Sequence, residues 1–330
     1  MRVLQDKDYR LFEKLVSLTE AGVAKAMAQY LKSKYDNVIV HKDFIIAFGD
    51  IPIALVAHMD TVFKFPVSDL YYDQKKGVLW SPEGLGADDR AGIFAIIKIL
   101  QDGLRPSIIL TTGEEEGGVG ACALVEKYPE CPFPGLKYMI QLDRHGTNDC
   151  VFYDCYCPEF VDYVESFGFC ERWGSFTDIS FLMPEWQIVG VNLSVGYEDE
   201  HSKQEILNIN PLFDTIKKVK KMLGETEIPD FVYDEVVAAG SFWWKKTGNW
   251  FGQHCSRCKK MFTEYELFPV LGLDGKTKFY CPDCIVGHVE WCDMCGDPFE
   301  IGDRTGKKIC KECEEELCTT SQKSKDSLEK

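Results

Sequence analysis

No stretch of the 330-residue chain holds about 18 consecutive apolar residues, so no membrane-spanning helix is expected. The opening residues, MRVLQDKDYRLFEKLV, lack the basic-then-apolar layout of a secretory signal. Together these absences predict a soluble, cytoplasmic protein without a membrane partner. Positive charge is in short supply, with 37 Lys and Arg against 53 Asp and Glu and a formal net charge of −16. That deficit disfavours nonspecific binding to nucleic acid or to an anionic membrane. Apolar residues are not scarce: they make up 45% of the chain and aromatics 13%, enough for a sizeable core and incompatible with global disorder. The length fits one large domain with a small one, or two of medium size. Fifteen cysteines would mean disulfides in a secreted chain, but eight of them form four CxxC pairs between Cys255 and Cys313, the grammar of metal binding. The other seven read as reduced thiols.

Apolar positions recur at helical spacing from about residue 8 to 33 (Leu11, Leu15, Leu18, Val23, Met27, Tyr30, Leu31), which predicts one or two amphipathic helices. Residues 38–40, 44–48 and 51–56 read as neighbouring strands, the last nearly all apolar and therefore central in a sheet covered on both faces. Alternation follows, with a helix at 91–100, a strand at 107–111, a helix at 121–127 and strands at 136–141 and 189–193. A long helix closes the series at 211–223. This order predicts an α/β fold over residues 1–225, a three-layer sandwich with a mostly parallel or mixed central sheet. Residues 226–250 hold aromatics without clean periodicity and read as a connector packed onto one of its neighbours. A cysteine-rich module is expected over 251–318, and the polar tail 319–330 is expected to be disordered.

Five segments place carboxylates or imidazoles just past the ends of predicted strands. ALVAHMDTV puts His58 and Asp60 two residues apart, hence on one face, at the sheet edge where α/β proteins build their sites. GLGADDRAG sets Asp88 and Asp89 in a glycine-rich loop before a helix, and ILTTGEEEGGVGA brings Glu114, Glu115 and Glu116 directly after a strand. YMIQLDRHG delivers Asp143, and VNLSVGYEDEHSKQE delivers His201. Carboxylates crowded in this way repel one another unless cations neutralise them, which calls for metal. Imidazole and carboxylate without thiolate suit Zn²⁺, with Mn²⁺ or Co²⁺ as substitutes. Two ions about 3.5–4 Å apart can share a bridging carboxylate and hold a water between them. Taken singly, HxD is more often structural, DD before a helix an N-cap and EEE a solvated face; five such elements in order outweigh these readings. His145 and Tyr197 read as packing or surface residues and Asp178 as a helix cap, with substrate contact the alternative for each.

The set HMD, GADDRAG, EEEGGVG, LDRHG and GYEDEHS resembles the co-catalytic zinc exopeptidases of the M20, M28 and M42 type, which include tripeptidases, aminopeptidases and related deacylases. The resemblance spans about residues 8–225. It implies that His58 binds one zinc while Asp60 holds its ring, and that Asp88 bridges both ions. Matching the glycines of EEEGGVGA to the family pattern makes Glu115 the general base and Glu116 a ligand of the second ion, with Glu114 a third candidate because the register can shift by one. Asp143 would complete the first site and His201 the second. The M20 satellite domain has no room here, since Asp143 and His201 are only 58 positions apart, and neither does the extra M42 domain between His58 and Asp88. The catalytic domain is therefore expected to be minimal, nearer M28 in outline, with motifs closer to the tripeptidase branch.

In the cysteine-rich module, 22 residues separate Cys258 from Cys281, 7 separate Cys284 from Cys292 and 14 separate Cys295 from Cys310. Cys255, Cys258, Cys281, Cys284, Cys292, Cys295, Cys310 and Cys313 can make two tetrahedral Cys₄ zinc sites of zinc-ribbon or treble-clef type. Sequential pairing is favoured, with a cross-braced arrangement as the alternative. Residues 251–318 carry 9 Lys and Arg against 13 Asp and Glu, so a protein contact, a gate on the substrate or plain stabilisation fits better than phosphate binding. The expected cofactors are thus four zinc ions, two co-catalytic and two structural. The expected function is metal-dependent peptide hydrolysis, most simply by an aminopeptidase; the alternatives are an amidohydrolase or deacylase with the same centre, or an inactive zinc-binding adaptor.

Overall fold

A computed structural model of the protein describes residues 3–153, 155, 157–174, 176–234, 253–259, 261–262, 267–272, 277–286, 288–291 and 298–301. The chain divides into two compact units, Met1–Val236 and Val237–Lys330.

The first unit begins with α1 (Asp6–Val16) and α2 (Glu20–Lys32), where helical spacing buries Phe12, Leu15 and Val16 of one and Val23, Met27 and Leu31 of the other. Two helices form because Thr19 interrupts the run: its hydroxyl accepts the Gly22 N–H and caps the second. There follow, in chain order, β1 (Val38–Val40), β2 (Phe44–Ala47), β3 (Ile51–His58), β4 (Tyr71–Asp73), β5 (Val78–Trp80), α3 (Ala87–Gln101) and β6 (Pro106–Thr111). After these come α4 (Val119–Lys127), β7 (Tyr138–Arg144), β8 (Asp149–Val151), α5 (Pro158–Glu165), β9 (Cys170–Glu171) and α6 (Asp178–Trp186). The unit ends with β10 (Val189–Ser194), β11 (Tyr197–Glu198), β12 (Ile206–Asn208) and α7 (Ile209–Leu223).

Eight strands form one mixed sheet in the order β1-β2-β6-β3-β7-β10-β8-β9. Its centre is parallel, β6 to β3, β3 to β7 and β7 to β10, while β1, β2 and β8 run antiparallel to their inner neighbours. β6 and β10 are buried along their whole length, as expected of parallel strands covered on both faces. Helices α1, α3 and α7 pack together on one side, and α4 packs with α6. This is the expected α/β sandwich. Register aligns the functional edge: His58 pairs with Thr111, and Val56 with Gln141, so the C-terminal ends of β3, β6 and β7 finish together.

The helix α5 and a second sheet, β11-β12-β5-β4, are additions to the pattern read from sequence, while α6 is a helix that the reading of Asp178 as a cap implies. The first part of the expected connector belongs to this unit: Phe231 packs against Tyr138, Phe160 and Tyr163, and Lys137 donates to the Ile228 carbonyl. Residues 235–252 lie outside the described residues. No helix among the described residues is long and apolar enough to cross a membrane.

In the second unit, the short strands β13 (Gln253–His254) and β14 (Met261–Phe262) flank the turn that carries Cys255 and Cys258. A four-stranded sheet follows in the order β16-β15-β18-β17, built from β15 (Phe268–Leu271), β16 (Thr277–Tyr280), β17 (Val289–Trp291) and β18 (Pro298–Glu300). The helical turn α8 (Pro282–Ile285) carries Cys284, with Cys281 at its N-cap.

Candidate metal centre

The site grows from the shared edge of the parallel strands. β3 ends on His58, whose imidazole is fully buried and held between two carboxylates: Nδ1 lies 3.2 Å from Asp60 Oδ1 and Nε2 lies 3.0 Å from Asp88 Oδ1. Asp143, near the end of β7, approaches the same Nε2 at 3.5 Å. Across the site, His201 Nε2 lies 3.1 Å from Asp88 Oδ2 and 3.0 Å from Glu115 Oε2. Asp88 thus offers one oxygen to each imidazole. Donor atoms of His58, Asp88 and Glu115 lie within 4.8 Å of one another, as do those of His58, Asp89 and Asp143. The oxygens of Asp89 are engaged locally, accepting the His58 and Gly92 backbone N–H groups, which leaves Asp88 as the carboxylate facing both rings.

The three consecutive glutamates lie in different surroundings. Glu116 is exposed, and Glu115 stands where Glu116 was expected, beside His201 and Asp88. Glu114 lies in the buried cluster: its carboxyl is pushed up to about 10 by burial, against the pull of His58, and the charges of Asp143, Asp178 and Asp88 add to the rise. The cause is Asp60, which accepts the N–H of Glu114 on one oxygen and that of Glu115 on the other. Burial would raise the Asp60 carboxyl, but the hydrogen bond and charge of His58, with these two amides, bring it below its ordinary value.

Asp143 is held on both oxygens. Oδ2 accepts from Thr177 Oγ1 at 2.8 Å and Gln141 Nε2 at 3.2 Å, and Oδ1 accepts from the Tyr197 hydroxyl at 3.1 Å. Tyr197, placed near the site by sequence, therefore acts on Asp143. His145 is paired with Glu200 at 2.6 Å. Asp178 opens α6 but is fully buried, accepting from Thr111 and Gln141. Glu205, which sequence reading overlooked, is buried and accepts the Gly86 and Asp88 N–H groups; burial pushes its carboxyl up to about 7 against these bonds.

The donor set fits divalent metal. Four carboxylates, Asp88, Asp143, Glu114 and Glu115, crowd two imidazoles, a concentration of negative charge that cations must offset. Burial alone would depress the His58 imidazole, yet Asp143, Asp60 and Asp88 hold its protonated form well above the ordinary range. Hydrogen bonds to Asp88 and Glu115 take His201 up to about 11. Both shifts have the same cause as the fit to metal, namely carboxylates crowded around each ring. A cavity of about 360 Å³ adjoins Asp60, between the α1–α2 junction (Leu18, Glu20) and the segment bearing Phe63 and Phe65.

In the second unit, the thiols of Cys255, Cys258, Cys281 and Cys284 converge within 4.8 Å of one another. The first CxxC pair thus meets the second. Burial would raise the Cys255 thiol, but the N–H groups of Cys281, Cys258 and Arg257 outweigh it and bring it down to about 6, toward the thiolate that a metal requires. Cys292, Cys295, Cys310 and Cys313 lie outside the described residues.

No protein-family model matches the chain, and no curated protein matches it. Solved structures do. A tripeptidase from Staphylococcus aureus subsp. aureus Mu50 is similar at 14% identity and a TM-score of 0.53, over 67% of this chain and 98% of that one. A TET aminopeptidase from the marine sediment archaeon Thaumarchaeota archaeon SCGC AB-539-E09 is similar at 13% identity and a TM-score of 0.54, over 68% of this chain and 98% of that one. The aminopeptidase PepT from Bacillus cereus ATCC 10987 is similar at 16% identity and a TM-score of 0.50, over 66% and 97%. At such identities the likeness is one of fold, and the chain shares the α/β fold of these peptidases.

Proposed function

We propose that the protein is a metal-dependent peptidase, an aminopeptidase acting on peptides. The observation that carries this reading is the double use of Asp88, one oxygen toward each of two imidazoles. His58, Asp88 and Asp143 would hold one ion; Asp88, Glu115 and His201 would hold the other. Zn²⁺ suits the donor set best, with Mn²⁺ or Co²⁺ as substitutes. When bound, such a pair polarises a scissile carbonyl and acidifies a nearby water. Glu114 would be the general base once bound cations offset the neighbouring carboxylates that help keep it protonated, taking the proton of the attacking water and returning it to the leaving amine. Asp60 keeps the His58 Nδ1–H directed at itself, so that Nε2 faces the centre. Peptides as substrates are supported by the fold's similarity to tripeptidase and aminopeptidase structures.

In the second unit, Cys255, Cys258, Cys281 and Cys284 hold one structural zinc, and Cys292, Cys295, Cys310 and Cys313 a second. The acidic balance of the module favours a protein contact over nucleic acid. The test is metal analysis with hydrolysis assays on free-amine peptides and on N-acylated amino acids, for wild type and Glu114→Gln. Peptide hydrolysis that falls at least about 100-fold in the variant, with metal retained, is expected. Hydrolysis confined to N-acyl substrates would mean a deacylase; metal uptake without turnover would leave an adaptor.

A further inference from the structure

The turn that presents Asp88 lies just ahead of the regular part of α3, whose own cap is Asp89: Oδ1 accepts the Gly92 N–H at 2.8 Å. Within the lead-in, Asp88 and Asp89 have non-helical backbone, and Gly86, in the left-handed conformation, has no side chain to receive the N–H groups there. Those groups are met from 117 and 119 positions further along the chain: Glu205 Oε2 accepts from Gly86 N at 2.6 Å and Oε1 from Asp88 N at 3.0 Å. Glu205 is 1% exposed. Glu205 is also four residues past His201, in a loop folded back on itself by the Ser202 hydroxyl donating to the Asp199 carbonyl and by Glu205 N donating to the Ser202 carbonyl. Asp199 and His201 both hold left-handed backbone there. A single side chain therefore ties the segment bearing Asp88 to the segment bearing His201.

We infer that Glu205 is a positioning residue for the metal centre, clamping the backbone of Asp88 to the His201 loop so that the ion shared by Asp88, Glu115 and His201 finds its donors already in place. This rests on the di-metal reading above. Residues that orient ligands in this way set metal affinity, commonly by about 10–100-fold. In Glu205→Gln the side chain keeps its volume but turns one acceptor into an N–H₂ donor facing a backbone donor, so one of the two bonds is lost.

The full chain, stripped of metal, is titrated with Co²⁺ and followed by the visible d–d bands of carboxylate and imidazole sites, which are separate from the sulfur-to-cobalt charge transfer of the cysteine sites. Wild type is expected to take up two ions beyond those that carry sulfur-to-cobalt charge transfer. Glu205→Gln is expected to bind the weaker of the two about 10–100-fold less tightly, with faster amide hydrogen exchange at residues 86–88 in the metal-free protein. Glu205→Asp, which keeps the charge one methylene short, should lie between them, and it supplies the answer if the Gln variant does not fold. Wild-type cobalt affinity in the variant that folds overturns the inference while leaving the di-metal site intact. A wild type that takes up no cobalt outside the thiolate sites overturns the site itself, and the role of Glu205 with it.

Discussion

Asp60 Oδ2 accepts the backbone N–H of Glu115 at 3.1 Å, and the same carboxylate accepts that of Glu114 and holds His58. This bond fixes the phase of three consecutive glutamates. With both amides tied down, successive side chains diverge, Glu114 into the buried cluster, Glu115 toward His201 and Glu116 into solvent. Three single substitutions should therefore behave differently. Glu114→Gln should keep its metal and lose turnover by at least about 100-fold. Glu115→Gln should lose affinity for one ion, with turnover restored in part by excess metal. Glu116→Gln should resemble wild type in both. Steady-state kinetics with metal analysis separates the three, and a dead Glu116→Gln with an active Glu114→Gln would reverse the assignment.

The convergence of Cys255, Cys258, Cys281 and Cys284 makes a second set of substitutions informative. Cys258→Ser and Cys281→Ser should each cost the full chain one zinc ion, and the double variant should lose no more than either single one. A metal-dependent small unit loses its fold with its ion, so the same variants should become susceptible to proteolysis beyond residue 236. Loss of two ions from the double variant would point to cross-bracing with the later cysteines.

Much of this was readable in advance, for physical reasons that stop at identifiable residues. His58 and Asp143 were visible because strand periodicity is strong in β3 and β7 and functional groups follow the strand ends. The phase of Glu114–Glu116 was not, since three identical residues carry no pattern and the decision comes from Asp60, 54 to 55 positions away. Glu205 was invisible for a related reason: a glutamate in EDEHSKQE looks like a solvated charge until the turn at Gly86–Asp88 lies against it. The sheet β11-β12-β5-β4 escaped because its strands are only two or three residues long, too short for alternation to register.

Gly92, in the GADDRAG segment, marks a place where backbone must pass close to backbone. A Cβ there would stand 2.2 Å from the Leu142 carbonyl oxygen and 2.5 Å from both Asp89 oxygens. None of these atoms can retreat cheaply: Leu142 lies inside β7, and Asp89 is fixed by the N–H groups of His58 and Gly92. Gly92→Ala should destabilise the protein by about 1–3 kcal/mol or more, as overpacking does. It should also weaken metal binding, because β7 carries Asp143 and α3 carries Asp88. Denaturant unfolding with and without Zn²⁺ measures both effects; an unchanged midpoint would mean that α3 and β7 lie further apart than described.

Asp178 gives a prediction of pH dependence with a definite sign. It is fully buried, its Oδ1 has no partner among the described residues, and its Oδ2 accepts from Thr111 at 2.6 Å. Burial pushes the carboxyl from 3.8 up to about 7, against the pull of His58 and the Thr111 hydrogen bond, with the charges of Asp143 and Asp60 adding to the rise. In the unfolded chain the group gives up its proton near the lower value, in the folded protein only near the higher one. Between about pH 4 and 7 the folded state holds the extra proton, so stability falls as pH rises through that window and is fully present only below it. Asp178→Asn cannot ionise, so the metal-free variant should lose less stability than wild type from pH 4.5 to 8. The difference should reach a few kcal/mol, at about 1.4 kcal/mol per pH unit of the window. The readout is the wild-type minus variant difference in unfolding free energy across the series, which cancels the titrations of the neighbouring metal donors common to both proteins. Parallel curves would show that Asp178 is already ionised at acidic pH, held by a positive charge that burial and Thr111 do not account for.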